Sequence, residues 1–240
     1  MKVVISQSMY FPWVGFLEQL RLADVFVLYD DVQFSKGSFT NRVQIKSPSG
    51  PRWLSVPLPG LHLGQCIDEV RLDERHDWRR QHRDQLVQAY RKAPFSADML
   101  ALVNAVFAHP VTTLSELSYA SVMAQADYFG LSSHLRLYDA ATLGIPGSSS
   151  QRVLDIVRAV GGTVYITGHG ALNYLDHEAF EAAGVTIRYM RYRRLAYPQL
   201  HGEFTPYVSA LDLVANCGRF GIDYICSESI YWKDFVHESN

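Results

Sequence analysis

Cysteine is scarce and scattered. The 240 residues hold three, Cys66, Cys217 and Cys226, with no CxxC pair. That excludes a disulfide framework and a cysteine-built zinc site, and it suits a reducing compartment. An excess of charge of one sign is also missing. Lys and Arg total 22 against 24 Asp and Glu, a net charge of -2. No global basic field points to nucleic acid, so a nucleic-acid partner is not expected. No apolar run approaches the ~18 residues a membrane span requires. The start, "MKVVISQSMY", has one Lys and only a short apolar run, and does not read as a signal peptide. A soluble cytoplasmic protein is expected. Common catalytic signatures are absent too: there is no GxSxG, GxGxxG or GxxxxGK[ST]. A serine hydrolase, a dinucleotide oxidoreductase and a P-loop NTPase are therefore disfavoured. His76 with His82, and His169 with His177, match neither HExxH nor a zinc-ligand pair, so no metal site is expected.

What is present is ample apolar material, 48% of the chain. It suits one α/β domain spanning 1–240, with the segment 73–130 as a helical insert or buttress. "VVIS" (Val3 to Ser6) reads as a strand. Trp13, Phe16, Leu17 and Leu20 then fall on one helical stripe, with Pro12 suited to the first turn. "DVFVLYDD" (Asp24 to Asp31) is a second strand that ends in two carboxylates. Strand, helix and strand in about thirty residues predict a βαβ unit with a parallel pair. "RVQIKSPSGPRWLSVPL" reads as a hairpin around a dense turn signal. Three helices follow: one capped by Asp73 and closed by Pro94, one over 97–108, and one opening on a Thr113–Glu116 capping box and ending at Gly130. An alternation of strand and helix then returns from His134 to Gly218, with segments 58–70 and 191–207 as ordered covers. The predicted class is α/β: a mainly parallel sheet with flanking helices, an N-terminal βαβ unit plus a hairpin, and a helical middle.

Ligands of open parallel sheets bind beyond the carboxyl ends of the strands. That rule selects candidates without a motif. The first strand leads into Gln7 and Tyr10, the second into Asp30 and Asp31, and "TGHGALNYLD" supplies Gly168, His169, Gly170 and Tyr174. Asp30, Asp31 and His169 are the candidate catalytic groups, because acids and imidazoles move protons. The competing reading is a turn, where Asp and Gly are common and a His is incidental. At most one of the adjacent Asp30 and Asp31 side chains is expected to reach substrate. Trp13 and Tyr10 are read either as ligand contacts or as core filling, since large aromatics dominate cores. Lys36, Asn41, Arg42 and Lys46 form a cationic stretch suited to carboxylate or phosphate, with a solvated loop as the alternative.

The stretch from "ISQSMYFPWVGF" through "DVFVLYDDVQF" and "NRVQIK" to "WLSVPL" resembles the WbqC-like protein family, as do "VYITGHGALNYLD", "YPQLHGEF" and "SALDLVANCG". The resemblance covers nearly the whole chain and is most specific in the N-terminal third. Ser8 stands where the family pattern has Pro, which loosens the loop and removes no functional group. The resemblance implies a role in O-antigen or other surface-polysaccharide biosynthesis, as a glycine transferase acting on an amino sugar. Carried onto this chain, it places the work on Gln7, Tyr10, Asp30, Asp31, Asn41, Arg42, Lys46 and His169. Acyl transfer to an amine needs an activated donor, a base and oxyanion stabilisation. The expected substrate is a nucleotide-linked amino sugar, with Arg42 and Lys46 for its phosphate and a carrier-bound or aminoacyl donor. No cofactor is fixed, and ATP with Mg²⁺ stays open. A non-catalytic sugar- or peptide-binding component, and an ATP-dependent nucleotidyltransferase-like enzyme, are the alternatives.

Overall fold

The computed structural model describes residues 1–239. β1 (Lys2–Ser6), α1 (Val14–Leu22) and β2 (Val25–Leu28) form the expected βαβ unit. β1 and β2 run parallel, with Val3 opposite Val25 and Ser6 opposite Leu28. β3 (Arg42–Ser47) and β4 (Gly50–Ser55) are an antiparallel hairpin that forms its own two-stranded sheet. The helical middle is α2 (Trp78–Tyr90), α3 (Ser96–Ala108) and α4 (Leu114–Tyr128). The alternation then resumes with β5 (Arg136–Asp139), α5 (Ala140–Leu143), α6 (Ser149–Ala159), β6 (Val164–Thr167), α7 (His177–Ala182) and β7 (Thr186–Arg191). α8 (Ala210–Cys217), β8 (Glu228–Tyr231) and α9 (Trp232–Ser239) complete the described chain.

The main sheet has the order β5-β2-β1-β6-β7-β8. Neighbours pair parallel except at the β7–β8 edge, which is antiparallel. β1 is central because its apolar residues serve both faces. Val4, with Phe26 and Ile166, packs into the core shared with α1 to α4 and α8. Val3 and Ile5, with Val25 and Val27, pack against Val153, Ile156 and Val157 of α6. A strand covered on both sides reads as a continuous apolar run, which is why "VVI" announced it. The chain leaves β1 toward β2 on one side and returns to β6 on the other. The connections therefore reverse between β1 and β6, the place where such sheets open a crevice.

Several local expectations shift. Asp77, not Asp73, caps α2 by accepting from the Arg80 N–H at 3.1 Å, while Asp73 is taken up by Arg75. Pro12 lies before the cap residue Trp13, outside the helix. The Trp13 indole lies over Gly15, where an added Cβ would come within 2.2 Å of the ring. That contact explains the "WVG" spacing physically. β8 and α9 had no sequence expectation: "ESIY" is a short edge strand without an apolar run. Segment 191–207 is tied down: Lys46 Nζ donates to Gln199 Oε1 at 3.0 Å and to the carbonyls of Gly202 and Glu203. Segment 58–70 is held by backbone bonds, including Phe34 N–H to Gln65 O at 2.8 Å. Among the described residues no helix is long and apolar enough to cross a membrane.

Candidate functional site

A cavity of about 800 Å³ opens where the sheet connections reverse. β1 contributes Ser6, Gln7 and Ser8 from its carboxyl end, and β2 contributes Tyr29 and Asp31. β6 contributes Thr167, followed by Gly168, Gly170 and Tyr174 from the 3₁₀ turn that leaves it. Three strand ends thus meet at one place, as the topology dictates. The amino end of α6 closes another side with Ser148, Ser149 and Arg152. Phe39 and Thr40, from the loop before the hairpin, and Cys66 complete the wall. Burial pushes the Cys66 thiol above its ordinary range, so it stays protonated.

The two adjacent carboxylates separate. Asp31 lines the cavity and is paired with Arg152, whose Nε also donates to the Ile145 carbonyl at 2.9 Å. The Arg152 guanidinium lies 5.0 Å from the Tyr29 ring centroid. Three contacts therefore hold Arg152, and through it Asp31. The second oxygen, Asp31 Oδ1, is buried and has no hydrogen-bond partner. Asp30 is 1% exposed and does not line the cavity. Its carboxylate accepts from the Ser8 N–H at 2.8 Å and from Ser115 Oγ at 2.5 Å. Burial raises the Asp30 pKa against those two bonds. Asp30 ties the loop after β1 to α4. The Ser8 amide in this tie is a donor that proline lacks, so the Ser8 departure adds a group to this chain.

Of the other candidates, Gln7, Gly168, Gly170 and Tyr174 line the cavity, and the rest are placed elsewhere. Tyr10 is fully buried and hydrogen-bonded to His82 Nδ1 at 2.9 Å, beside Trp78. Trp13 packs on Tyr192 and Tyr207. His169 lies between two lining glycines, yet its Nε2 donates to the Met190 carbonyl at 2.6 Å and its ring contacts Phe235. Asn41 Nδ2 donates to the Val56 carbonyl at 3.1 Å. Arg42 covers the Trp53 ring at 4.4 Å and bonds the Gly37 carbonyl. Lys46 is 2% exposed and spent on the 191–207 segment. Lys36 is exposed and outside the lining. The cationic stretch is therefore dispersed: hairpin pleating sends Arg42 and Lys46 to bond partners of their own, and the cation in the cavity is Arg152.

Sequence reasoning passed over Arg152, Ser148, Tyr29 and Gln19. A signal was available. "GSSSQR" opens α6, the longer helix of the connection from β5 to β6 in the same parallel sheet, so its amino end lies toward the edge where those strands end. Gln19 is less legible: it sits on α1 and reaches the cavity because its Nε2 is fixed by Tyr192 Oη at 2.8 Å. Among the described residues no group of three or more His, Cys, Asp or Glu is arranged to hold a metal ion.

A protein of Mycobacterium tuberculosis (strain ATCC 25618 / H37Rv), Uncharacterized protein Rv1507c, is 30% identical over 227 residues, covering 93% of this chain and 97% of that protein. No solved structure matches the chain. The WbqC-like protein family matches residues 7–224, a span that includes nearly every wall of the cavity, and the chain belongs to that family.

Proposed function

We propose that the chain is a transferase that attaches an aminoacyl or related acyl group, glycine foremost, to the amine of a nucleotide-linked amino sugar, in surface-polysaccharide or specialised biosynthesis. The observation that carries this reading is the state of Asp31. It lines a cavity of small-molecule size, is fixed by Arg152, and keeps one buried oxygen without a partner. A carboxylate in that state suits an amine or hydroxyl donor from a ligand. In the transfer the amine nitrogen bonds the acyl carbon, the donor's C–O or C–S bond breaks to release tRNA, coenzyme A or AMP, and the amine proton passes to Asp31, which is assigned the role of base. Gln7 provides an amide donor for the developing oxyanion. Tyr29 and Tyr174 offer ring faces, and the Ser and Thr hydroxyls around them suit sugar hydroxyls. Asp30 acts one step back, by holding Ser8.

The test is product formation. The protein is incubated with UDP- and dTDP-linked amino sugars, each with glycyl-tRNA, glycyl-coenzyme A, or glycine with ATP and Mg²⁺, and the sugar nucleotide is weighed by mass spectrometry. A gain of one aminoacyl group, lost by about a hundredfold or more in Asp31→Asn, is expected. Unmodified acceptors with every donor contradict the reading. Ligand binding without turnover instead supports a non-catalytic sugar- or peptide-binding component. One observation favours an ATP-dependent step at the same cavity: its place at the reversal point of a parallel sheet, a common nucleotide position. Release of pyrophosphate from ATP separates that reading from the first.

A further inference from the structure

The amino end of α6 has the features of an anion site. The first amides of a helix have no partner within it, and the helix dipole favours negative charge there. Ser148, at the cap position, gives those amides no side-chain bond, and both Ser148 and Ser149 line the cavity. A helix end alone defines nothing, but two further groups converge on the same space. Arg152, one turn into α6, lines the cavity while only 7% exposed. Ser8 lines it from the β1 side, is 1% exposed, and its Oγ lies near the Asp30 carboxylate without a hydrogen bond of good geometry to any group. A buried hydroxyl without a well-formed hydrogen bond is unfavourable, and a ligand oxygen relieves it.

Asp31 is matched by Arg152, so that pair is close to neutral and leaves the positive field of the helix end standing; Asp68 and Glu69 add negative charge on the Cys66 side of the cavity, which leaves the α6 side as the place for an anion. Asp31 Oδ1 still lacks a donor. A ligand suited to both features carries phosphate oxygens next to hydroxyl or amine groups.

We propose that the amino end of α6, with Arg152 and Ser8, is the diphosphate subsite of the cavity and takes the diphosphate of a nucleotide-linked sugar. This rests on the reading of the cavity as the acceptor site. It assigns the phosphate to α6 in place of Arg42 and Lys46, which are bonded elsewhere.

The test is calorimetric titration with inorganic pyrophosphate, which probes the subsite without choosing a nucleoside. Wild type is compared with Ser148→Glu and Ser8→Ala. Ser148 is exposed and makes no cap bond, so a carboxylate there repels the anion while suiting the helix end itself. The expected result is binding by wild type, weakened about tenfold or more in Ser148→Glu at an unchanged or raised melting temperature, with a smaller loss in Ser8→Ala. No binding to wild type at millimolar pyrophosphate, or equal binding by Ser148→Glu, overturns the proposal. The transfer assay on wild type separates the two claims. Product formed without a pyrophosphate effect leaves the transferase reading standing and removes the subsite. A Ser148→Glu effect without product from any donor does the reverse.

Discussion

Asp30 and Asp31 are chain neighbours with separate tasks. Asp30 is buried against Ser8 and Ser115, while Asp31 lines the cavity and is paired with Arg152. One carboxylate holds the floor of the site in shape, and the other presents an oxygen to it.

The Asp30 tie carries a stability prediction. Ser115→Ala leaves a buried carboxylate oxygen without its 2.5 Å donor. The expected loss is roughly 1–3 kcal/mol, read from urea unfolding at neutral pH. A variant as stable as wild type would mean that Ser115 is incidental to the tie.

Lys46 is assigned to structure. Lys46→Met strands the carbonyl oxygens of Gly202 and Glu203, leaves Gln199 Oε1 with the Thr205 N–H alone, and removes the anchor of the 191–207 segment. The expected outcome is a loss of roughly 2 kcal/mol or more in stability with the affinity for a sugar nucleotide kept within about threefold. A selective loss of affinity at unchanged stability would return Lys46 to the ligand.

Two buried groups predict opposing pH dependences. Burial raises Asp212 to about 6, above the usual carboxylate value near 4, so its contribution is full below pH 4 and is lost as pH rises through 6. Burial lowers His82 to about 4 from its usual 6.5, so its contribution is full above 6.5 and is lost as pH falls through 4. Each shift of about two units corresponds to roughly 3 kcal/mol. Relative to wild type, Asp212→Asn should therefore fall faster in stability from pH 6.5 to 4, and His82→Gln should fall faster from pH 4 to 6. Denaturation curves across that range check both slopes. Variants whose profiles parallel wild type would refute the assignment.

Gly162 tests the packing of β1 on α6. An added Cβ would stand 2.4 Å from Val3 Cγ2 and 2.9 Å from the Val157 carbonyl oxygen, so backbone as well as side chain must move. Gly162→Ala is expected to cost roughly 1–3 kcal/mol. A neutral or stabilising effect in the same unfolding experiment would show that β1 and α6 separate more easily than their contacts imply.

Legibility followed the physics of each element. β1, β2 and β6 announced themselves because parallel strands buried on both faces are largely apolar, and β7 through its alternation, with buried Ile187 and Tyr189 alternating with the half-buried Thr186 and Arg188. The Thr113–Glu116 box was readable because its bonds are local. The edge strand β8 was not, since half-covered pairing leaves a short mixed sequence. At the site, the strand-end rule found Gln7, Asp31, Gly168, Gly170 and Tyr174, all on one cavity. It had no means of telling Asp30 from Asp31, because the partners that claim Asp30 lie on a loop and on α4. Arg152 depends on a contact across 121 residues with Asp31, which no local pattern carries.

The most direct test of the account is a crystal structure of the protein soaked with a UDP-linked amino sugar. The account predicts ligand density beyond the carboxyl ends of β1, β2 and β6, with the diphosphate at the amino end of α6 and the sugar within hydrogen-bond reach of Asp31 Oδ1. Density confined to another surface, such as the groove where Leu102 and Met123 of α3 and α4 face each other, would contradict it, as would an empty cavity at saturating ligand.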